Sequence, residues 1–201
     1  MNNLTIQLMK KVLLLALSMV LCIGGFAQET KGNDSKSKTV EFLKKDGALL
    51  KKEFFDIGNI SYGKSSISVK FQNILITDVV SKSKVGALRL ETEYTSSIGT
   101  DTYIGTLDSD ELEACIQSVK YLRDNVINQQ ATTYTECEYR SRDGVLIGAY
   151  SNLRNPEKPW ILYVQTKSYT SRSMETLSLD KIDELISLLE KAQAQLKECG
   201  V

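Results

Sequence analysis

The side chains that could carry out chemistry are limited, because this sequence lacks the most versatile of them. Its 201 residues contain no histidine, which is the usual general base near neutral pH and the commonest metal ligand. Ser-His-Asp triads, Cys-His pairs and histidine-based zinc sites are therefore excluded. Lysine plus arginine number 25, and aspartate plus glutamate also number 25. The chain therefore lacks the excess of positive charge that would indicate nucleic-acid binding. We predict no cofactor and no bound metal.

Cysteine is the next reactive residue type. Cys22 lies in an apolar N-terminal segment, and Cys115, Cys137 and Cys199 follow without any C-x-x-C pair of the kind that binds metals. Cys115 falls on the apolar stripe of a predicted helix, where a free cysteine acts as a small hydrophobic residue. A disulfide between Cys115 and Cys137 is an alternative hypothesis, because an oxidising compartment would permit it.

An acidic cluster, Asp108, Asp110 and Glu111, is a further candidate for chemistry. The sequence after it lacks the Asp-x-Asp-x-Asp-Gly pattern of a calcium-binding loop. An aspartate followed three residues later by a glutamate, just before an apolar stripe, instead predicts a capping box at the start of a helix. We therefore predict no catalytic residue in this cluster.

Aromatic residues on predicted strands are the remaining candidates for contact with a ligand. Tyrosine and tryptophan are the residue types that most often anchor interfaces. The predicted ligand-binding residues are Tyr134, Trp160, Tyr163 and Tyr169. The neighbouring outward positions Glu136, Glu138 and Arg140 carry mixed charges, which is typical of a solvated sheet face. We expect the ligand to be a partner protein or a glycan, bound at this face or at the loop 155–160.

A predicted helix occurs twice in the sequence, once in each half of the chain. Residues 106–122 align without a gap with residues 176–192. The apolar positions coincide: Leu112, Cys115, Ile116 and Val119 match Ile182, Leu185, Ile186 and Leu189. This spacing predicts two amphipathic helices, and its recurrence predicts a duplicated unit.

Alternation of apolar and polar residues predicts strands before each helix. In the first half the strands are expected at 66–71, 74–80, 86–94 and 102–104, and in the second half at 133–139, 145–150 and 160–169, followed by a short run that ends at Leu177. Asp46 and Gly47 lie between apolar runs, which predicts a hairpin over residues 39–55. A short helix over residues 44–55, broken at Gly47, is the alternative.

We therefore predict an α+β fold with two tandem ββββα units, at about 60–128 and 132–199, in a single domain over residues 39–201. Each helix has one apolar stripe and most strands alternate, so we expect one antiparallel sheet with both helices on one face. Units in this order resemble the Pur/PC4-type proteins and are also similar to exported β-lactamase-inhibitor-like proteins. Both resemblances are of element order only, and the first implies single-stranded nucleic-acid binding.

The N-terminal segment has the three parts of a secretory signal peptide. Lys10 and Lys11 precede an apolar run at 12–23, which is too short to span a membrane comfortably. Gly25 and Ala27 then supply the small residues of a cleavage site, so residues 1–27 are predicted to be removed. The stretch Phe26-Ala27-Gln28 resembles the signal-peptide ends of exported proteins from Bacteroidota, which implies a periplasmic or secreted protein.

Two further expectations concern this region. A lipoprotein attached through Cys22 is a weaker alternative, because no small residue comes directly before that cysteine. Residues 28–38 contain no apolar side chain, which predicts a disordered leader between the signal peptide and the domain. After cleavage we expect no association with the membrane.

Together these features favour an exported, non-enzymatic binding protein. A small periplasmic hydrolase using carboxylates is an alternative, although no pair of acids is evident from residue spacing. A single-stranded nucleic-acid-binding module is a second alternative, which the architecture suggests and the acidic residues at outward strand positions oppose. The ligand and the oligomeric state do not follow from these residues.

Overall fold

The computed structural model of this chain describes residues 36–61, 68–155 and 157–201. The predicted signal peptide, its Cys22 alternative, leader residues 28–35 and the start of the strand predicted at 66–71 lie outside the described residues. In the part of the chain that the structure describes, no helix is both long and apolar enough to cross a membrane.

The elements follow one another in the order helix, four strands, helix, four strands, helix. They are α1 (Lys38–Leu43), β1 (Leu50–Ile60), β2 (Val69–Asp78), β3 (Lys84–Ser96), β4 (Gly99–Asp108), α2 (Leu112–Tyr121), β5 (Glu136–Arg140), β6 (Leu146–Ser151), β7 (Trp160–Gln165), β8 (Met174–Leu177) and α3 (Ile182–Glu198). Single 3₁₀ turns, Ser109–Glu111 and Leu179–Lys181, lead into α2 and α3, and α2 ends in a π-helical turn over Leu122–Val126.

The described strands form two antiparallel sheets, ordered β1-β2-β3-β4 and β5-β6-β7-β8. The fold is thus α+β with two units of four strands and a helix, but the single sheet that we expected is not formed. The edge of β4 is closed by side chains of the second unit instead of by a strand. The Asp143 carboxylate accepts a bond from the Thr106 N–H at 3.0 Å, and the Ser141 hydroxyl donates to the Thr106 carbonyl at 3.0 Å.

Helices α2 and α3 and both sheets contribute to one hydrophobic core. The core residues include Phe71 and Leu90 of the first sheet and Ile147 and Leu162 of the second. The apolar stripe predicted for the two helices is buried at every position, which confirms their amphipathic assignment: Leu112, Cys115, Ile116, Val119, Ile182, Leu185, Ile186 and Leu189. Apolar burial of this extent is the main force that holds the two units together.

Neither prediction for residues 39–55 is right as a whole: residues 39–43 belong to helix α1 instead of a first strand, and residues 44–55, where the alternative places a helix, form a turn and the start of β1. Helix α1 ends at Leu43, and Gly47 has a φ of +73° in the turn that leads to β1. Ser37 accepts a bond from the Val40 N–H and caps α1, and it is only 3% exposed. Ser37 and Lys38, which composition assigns to a disordered leader, are therefore part of the folded domain.

The strands of the first unit differ from the prediction in their limits. Two runs predicted as separate strands form the single strand β2, and β1 at Leu50–Ile60 supplies the first strand of the unit. The interruption in the sequence pattern is Asn73, a buried polar residue whose amide donates to the Ala192 carbonyl of α3 at 2.9 Å. This partner satisfies the amide N–H group inside the core, where an unpaired donor would be costly.

Candidate functional site

The outer face of the second sheet carries the aromatic and charged residues that the sequence singled out. Strand β5 alternates as predicted, since Cys137 and Tyr139 pack against the core. Glu136, Glu138 and Arg140 therefore lie on the opposite, outer face. Tyr139 also donates from its hydroxyl to the Glu111 carbonyl at the start of α2, at 3.2 Å.

A glycine allows two side chains to meet across this face. Gly148 of β6 pairs with Glu138 on one side and with Tyr163 on the other. The Tyr163 hydroxyl donates to the Glu138 carboxylate at 2.6 Å, so the bond joins the strands on either side of β6. A Cβ atom at position 148 would overlap the Cys137 carbonyl oxygen and the Cα of Glu138. Only glycine fits here without a backbone shift.

We name this region the tyrosine patch, and it forms a shallow concavity of about 290 Å³. The concavity is lined by Tyr134, Glu136, Glu138, Arg140, Leu146, Tyr150, Tyr163, Gln165 and Met174. The rings of Tyr150 and Tyr163 pack at 5.9 Å between centroids with a 48° tilt. Aromatic pairs commonly adopt a separation of this size. Tyr134 is 62% exposed and donates to the Glu136 carboxylate.

The charges of the patch are fixed by these hydrogen bonds. Burial and the bond to Glu138 raise the pKa of Tyr163 above its ordinary value. Burial also acts to raise the pKa of Glu138, but the bonds from Tyr163 and Arg140 outweigh it and lower the net pKa. The bond to Glu136 raises the pKa of Tyr134. At neutral pH Tyr134 and Tyr163 are thus neutral and Glu138 is ionised.

The structure brings together only two of the four predicted ligand-binding residues. Tyr134 and Tyr163 share the tyrosine patch. Trp160 is 4% exposed, and its indole N–H donates to the Gln129 carbonyl at 2.7 Å. Tyr169 is 80% exposed, lies in the connection between β7 and β8, and is not among the residues that line the patch. Tyr150, which the sequence reading missed, takes their place.

A second concavity, which we name the groove, adjoins the patch on the same sheet. Its volume is about 520 Å³. The groove is lined by Asn152, Asn155, Lys158, Trp160, Ile161, Thr176, Leu177, Ser178, Leu179 and Asp180. Two groove residues pair with patch residues on neighbouring strands: Ile161 pairs with Tyr150, and Thr176 pairs with Tyr163. The two concavities therefore form a continuous surface.

The acidic cluster at the start of α2 connects separate parts of the chain. Glu111 accepts from the Asp108 N–H at 2.9 Å, as a capping box requires, and from the Arg142 N–H at 2.8 Å. The Asp108 carboxylate accepts from the N–H groups of Lys38 and Thr39 at 2.7 and 3.0 Å. Within the described residues, no group of three or more potential ligands could hold a metal ion. The cluster is structural.

The cysteines of the described chain, Cys115, Cys137 and Cys199, are all free. The alternative of a Cys115–Cys137 disulfide is therefore not realised. Burial raises the pKa of the Cys115 thiol, which keeps it protonated and unreactive. Its position on the buried side of α2 agrees with a packing role.

Comparison with known proteins gives no identification. The chain matches no protein-family model, no curated protein and no solved structure. The tyrosine patch and the groove are therefore the basis for a functional assignment.

Proposed function

We propose that this chain is an exported, non-enzymatic binding protein that recognises a partner protein through the outer face of its second sheet. One observation carries the proposal: the tyrosine patch and the groove adjoin on that face, with Tyr150 and Ile161 paired across their boundary. Concave surfaces lined by tyrosine and a few convergent polar groups are typical of binding sites. The export signal remains a prediction from the sequence.

Preorganisation of the patch supports a binding role. Tyr163 is held by its bond to Glu138 and by the ring of Tyr150. Side chains that are already fixed lose little conformational entropy when a partner binds. The exposed ring of Tyr134 offers apolar area at the rim of this fixed surface, as tyrosine does in many interfaces.

The charges of the patch disfavour the two alternatives. Two carboxylates, Glu136 and Glu138, stand beside one guanidinium, Arg140, and such a surface repels a phosphate backbone. The lowered pKa of Glu138, caused by bonds from Tyr163 and Arg140 that outweigh its burial, makes it a poor general acid. Hydrolysis by a carboxylate pair and binding of single-stranded nucleic acid are therefore less well supported than protein binding.

A ligand screen with matched variants tests this proposal. The purified protein is titrated with a panel of secreted proteins, glycans and oligonucleotides, and the shift of its melting temperature is recorded. We expect a secreted protein to raise the melting temperature, and Tyr134→Ala to abolish that rise. Tyr169→Ala removes a tyrosine that is even more accessible but does not line the patch, and it should leave the rise intact. A shift by oligonucleotides alone, lost at high salt, would contradict the proposal.

A further inference from the structure

The internal repeat assigns each groove residue a counterpart in the first unit. The gap-free match of 106–122 with 176–192 equates Asp108 with Ser178 and Asp110 with Asp180. The strand registers extend this match across each sheet. Leu107 pairs with Leu88 on the neighbouring strand of the first unit, and Leu177 pairs in the same way with Leu162 in the second unit. Ala87 and Ile161, which precede Leu88 and Leu162, are therefore equivalent outer-face positions.

In the first unit, the surface equivalent to the groove is occupied by a peptide segment of this same chain. Helix α1 lies on it and makes three kinds of contact. The Asp108 carboxylate accepts from the backbone N–H groups at the start of α1. The Lys38 ammonium donates to Asp110 at 2.7 Å. Phe42, four residues later, packs against Ala87 and its outer-face neighbours Ile74 and Ile76.

In the second unit, the equivalent surface is open. It keeps the acid that receives the lysine in the first unit, because Asp180 matches Asp110 and is exposed. A hydrogen bond from Ser178 lowers the pKa of Asp180, so its carboxylate is ionised at neutral pH. Ile161 supplies an apolar side chain at the position that Ala87 occupies in the first unit. Asn152 and Lys158 add polar groups at the rim of the groove.

We propose that the groove binds a short helical segment of a partner protein, with a lysine in its first turn and a large apolar side chain four residues later. The lysine pairs with Asp180 as Lys38 pairs with Asp110, and the apolar side chain packs on Ile161 as Phe42 packs on Ala87. Docking of an amphipathic helical segment in a groove is a recurrent mode of peptide recognition. This inference names the partner chemistry for the sheet face proposed above and rests on that function.

A peptide titration followed by NMR tests the inference. The probe is an acetylated, amidated peptide with the sequence of residues 36–45, which contains the lysine and the phenylalanine at the required spacing. Added to the isotope-labelled protein, it should shift the backbone amides of Ile161, Thr176 and Asp180. Asp180→Asn should weaken binding by about fivefold, as expected for one partly exposed ion pair. A peptide with alanine in place of its first-turn lysine should lose the same factor on the unaltered protein.

Controls separate the groove from other surfaces. Asp56→Asn removes an exposed carboxylate of the first sheet and should leave the affinity unchanged. Shifts confined to Ala87 and Asp108 would mean that the probe displaces α1, and they would overturn the inference. Shifts confined to Tyr134 and its neighbours, or equal affinity for Asp180→Asn, would also overturn it while leaving the tyrosine patch as a binding surface. Absence of any shift at millimolar peptide would overturn the groove alone, because the patch is tested separately by the ligand screen.

Discussion

The hydrogen bond between Tyr163 and Glu138 is the residue-scale feature that shapes the proposed binding face. It exists because Gly148 leaves the space between them empty. The bond is charge-assisted, and such bonds are stronger than those between neutral groups. It also gives the Glu138 carboxylate a partner within the protein and fixes the orientation of the Tyr163 ring in the patch.

Removing this bond should lower stability in a pH-dependent manner. We expect Tyr163→Phe to reduce the free energy of unfolding by about 1–2 kcal/mol at neutral pH. Glu138 has a lowered pKa in the folded state, since the bonds from Tyr163 and Arg140 outweigh its burial. Its contribution is therefore present above the ordinary glutamate pKa and lost as the pH falls through the lowered value. Urea denaturation in neutral and acidic buffers measures this, and an equal loss in both would contradict it.

Substitution of the glycine gives a second test at the same scale. We expect Gly148→Ala to destabilise the protein by about 1–3 kcal/mol, the usual cost of overpacking, because the new methyl group would overlap backbone atoms of β5. The same substitution should separate Tyr163 from Glu138. Thermal denaturation measures the loss of stability. A variant as stable as the unaltered protein would show that the strands are not packed as closely as described.

The position of helix α1 depends on a residue about seventy positions away in the chain. Asp108 accepts bonds from Ser37, Lys38 and Thr39. The Arg142 guanidinium approaches the same carboxylate at 3.1 Å, and the carboxylate is nearly inaccessible to solvent. An ionised group in such a place is stabilised only by its partners, so its loss leaves several donors unsatisfied.

Asp108→Ala should therefore detach α1. We expect a loss of about 3–5 kcal/mol, as is typical when one partner of a buried ion pair is removed. Amides of residues 38–43 should also exchange with solvent faster than those of α3. Hydrogen exchange read by mass spectrometry measures this difference. Asp101→Ala is the control, because Asp101 is exposed and meets Arg172 only at 3.7 Å. Slow exchange in α1 of the Asp108 variant would contradict this role.

The sequence predicted the elements better than their contacts. Helices α2 and α3 followed from periodic apolar residues, a local pattern. The separation into two sheets depends on Asp143 and Ser141 at the edge of β4, and such long-range contacts leave no local pattern. The alternation of side chains along β7 separates two of the predicted ligand-binding residues. Residues 160 and 163 are three apart and must face opposite sides of a strand, so Trp160 is buried and borders only the groove, whereas Tyr163 lies in the patch.

At the scale of the whole molecule, the two units form one cooperative structure because their helices and sheets share a core. Leu185 of α3 is fully buried in it. We expect Leu185→Ala to cost about 2–5 kcal/mol, as for other core leucines. Hydrogen exchange should speed up in both sheets to a similar extent. Unfolding in two separate transitions, or unchanged protection in the first sheet, would contradict a shared core.

Oxidative footprinting of the protein with its bound partner tests the central claim most directly, because it reports the exposure of individual tyrosine side chains. The claim is that the partner covers the outer face of the second sheet. Tyr134 and Tyr169 are both exposed in the free protein, so both should be oxidised there. On binding, we expect oxidation of Tyr134 to fall while that of Tyr169 stays the same. Protection of Tyr169 with Tyr134 unchanged would contradict the account.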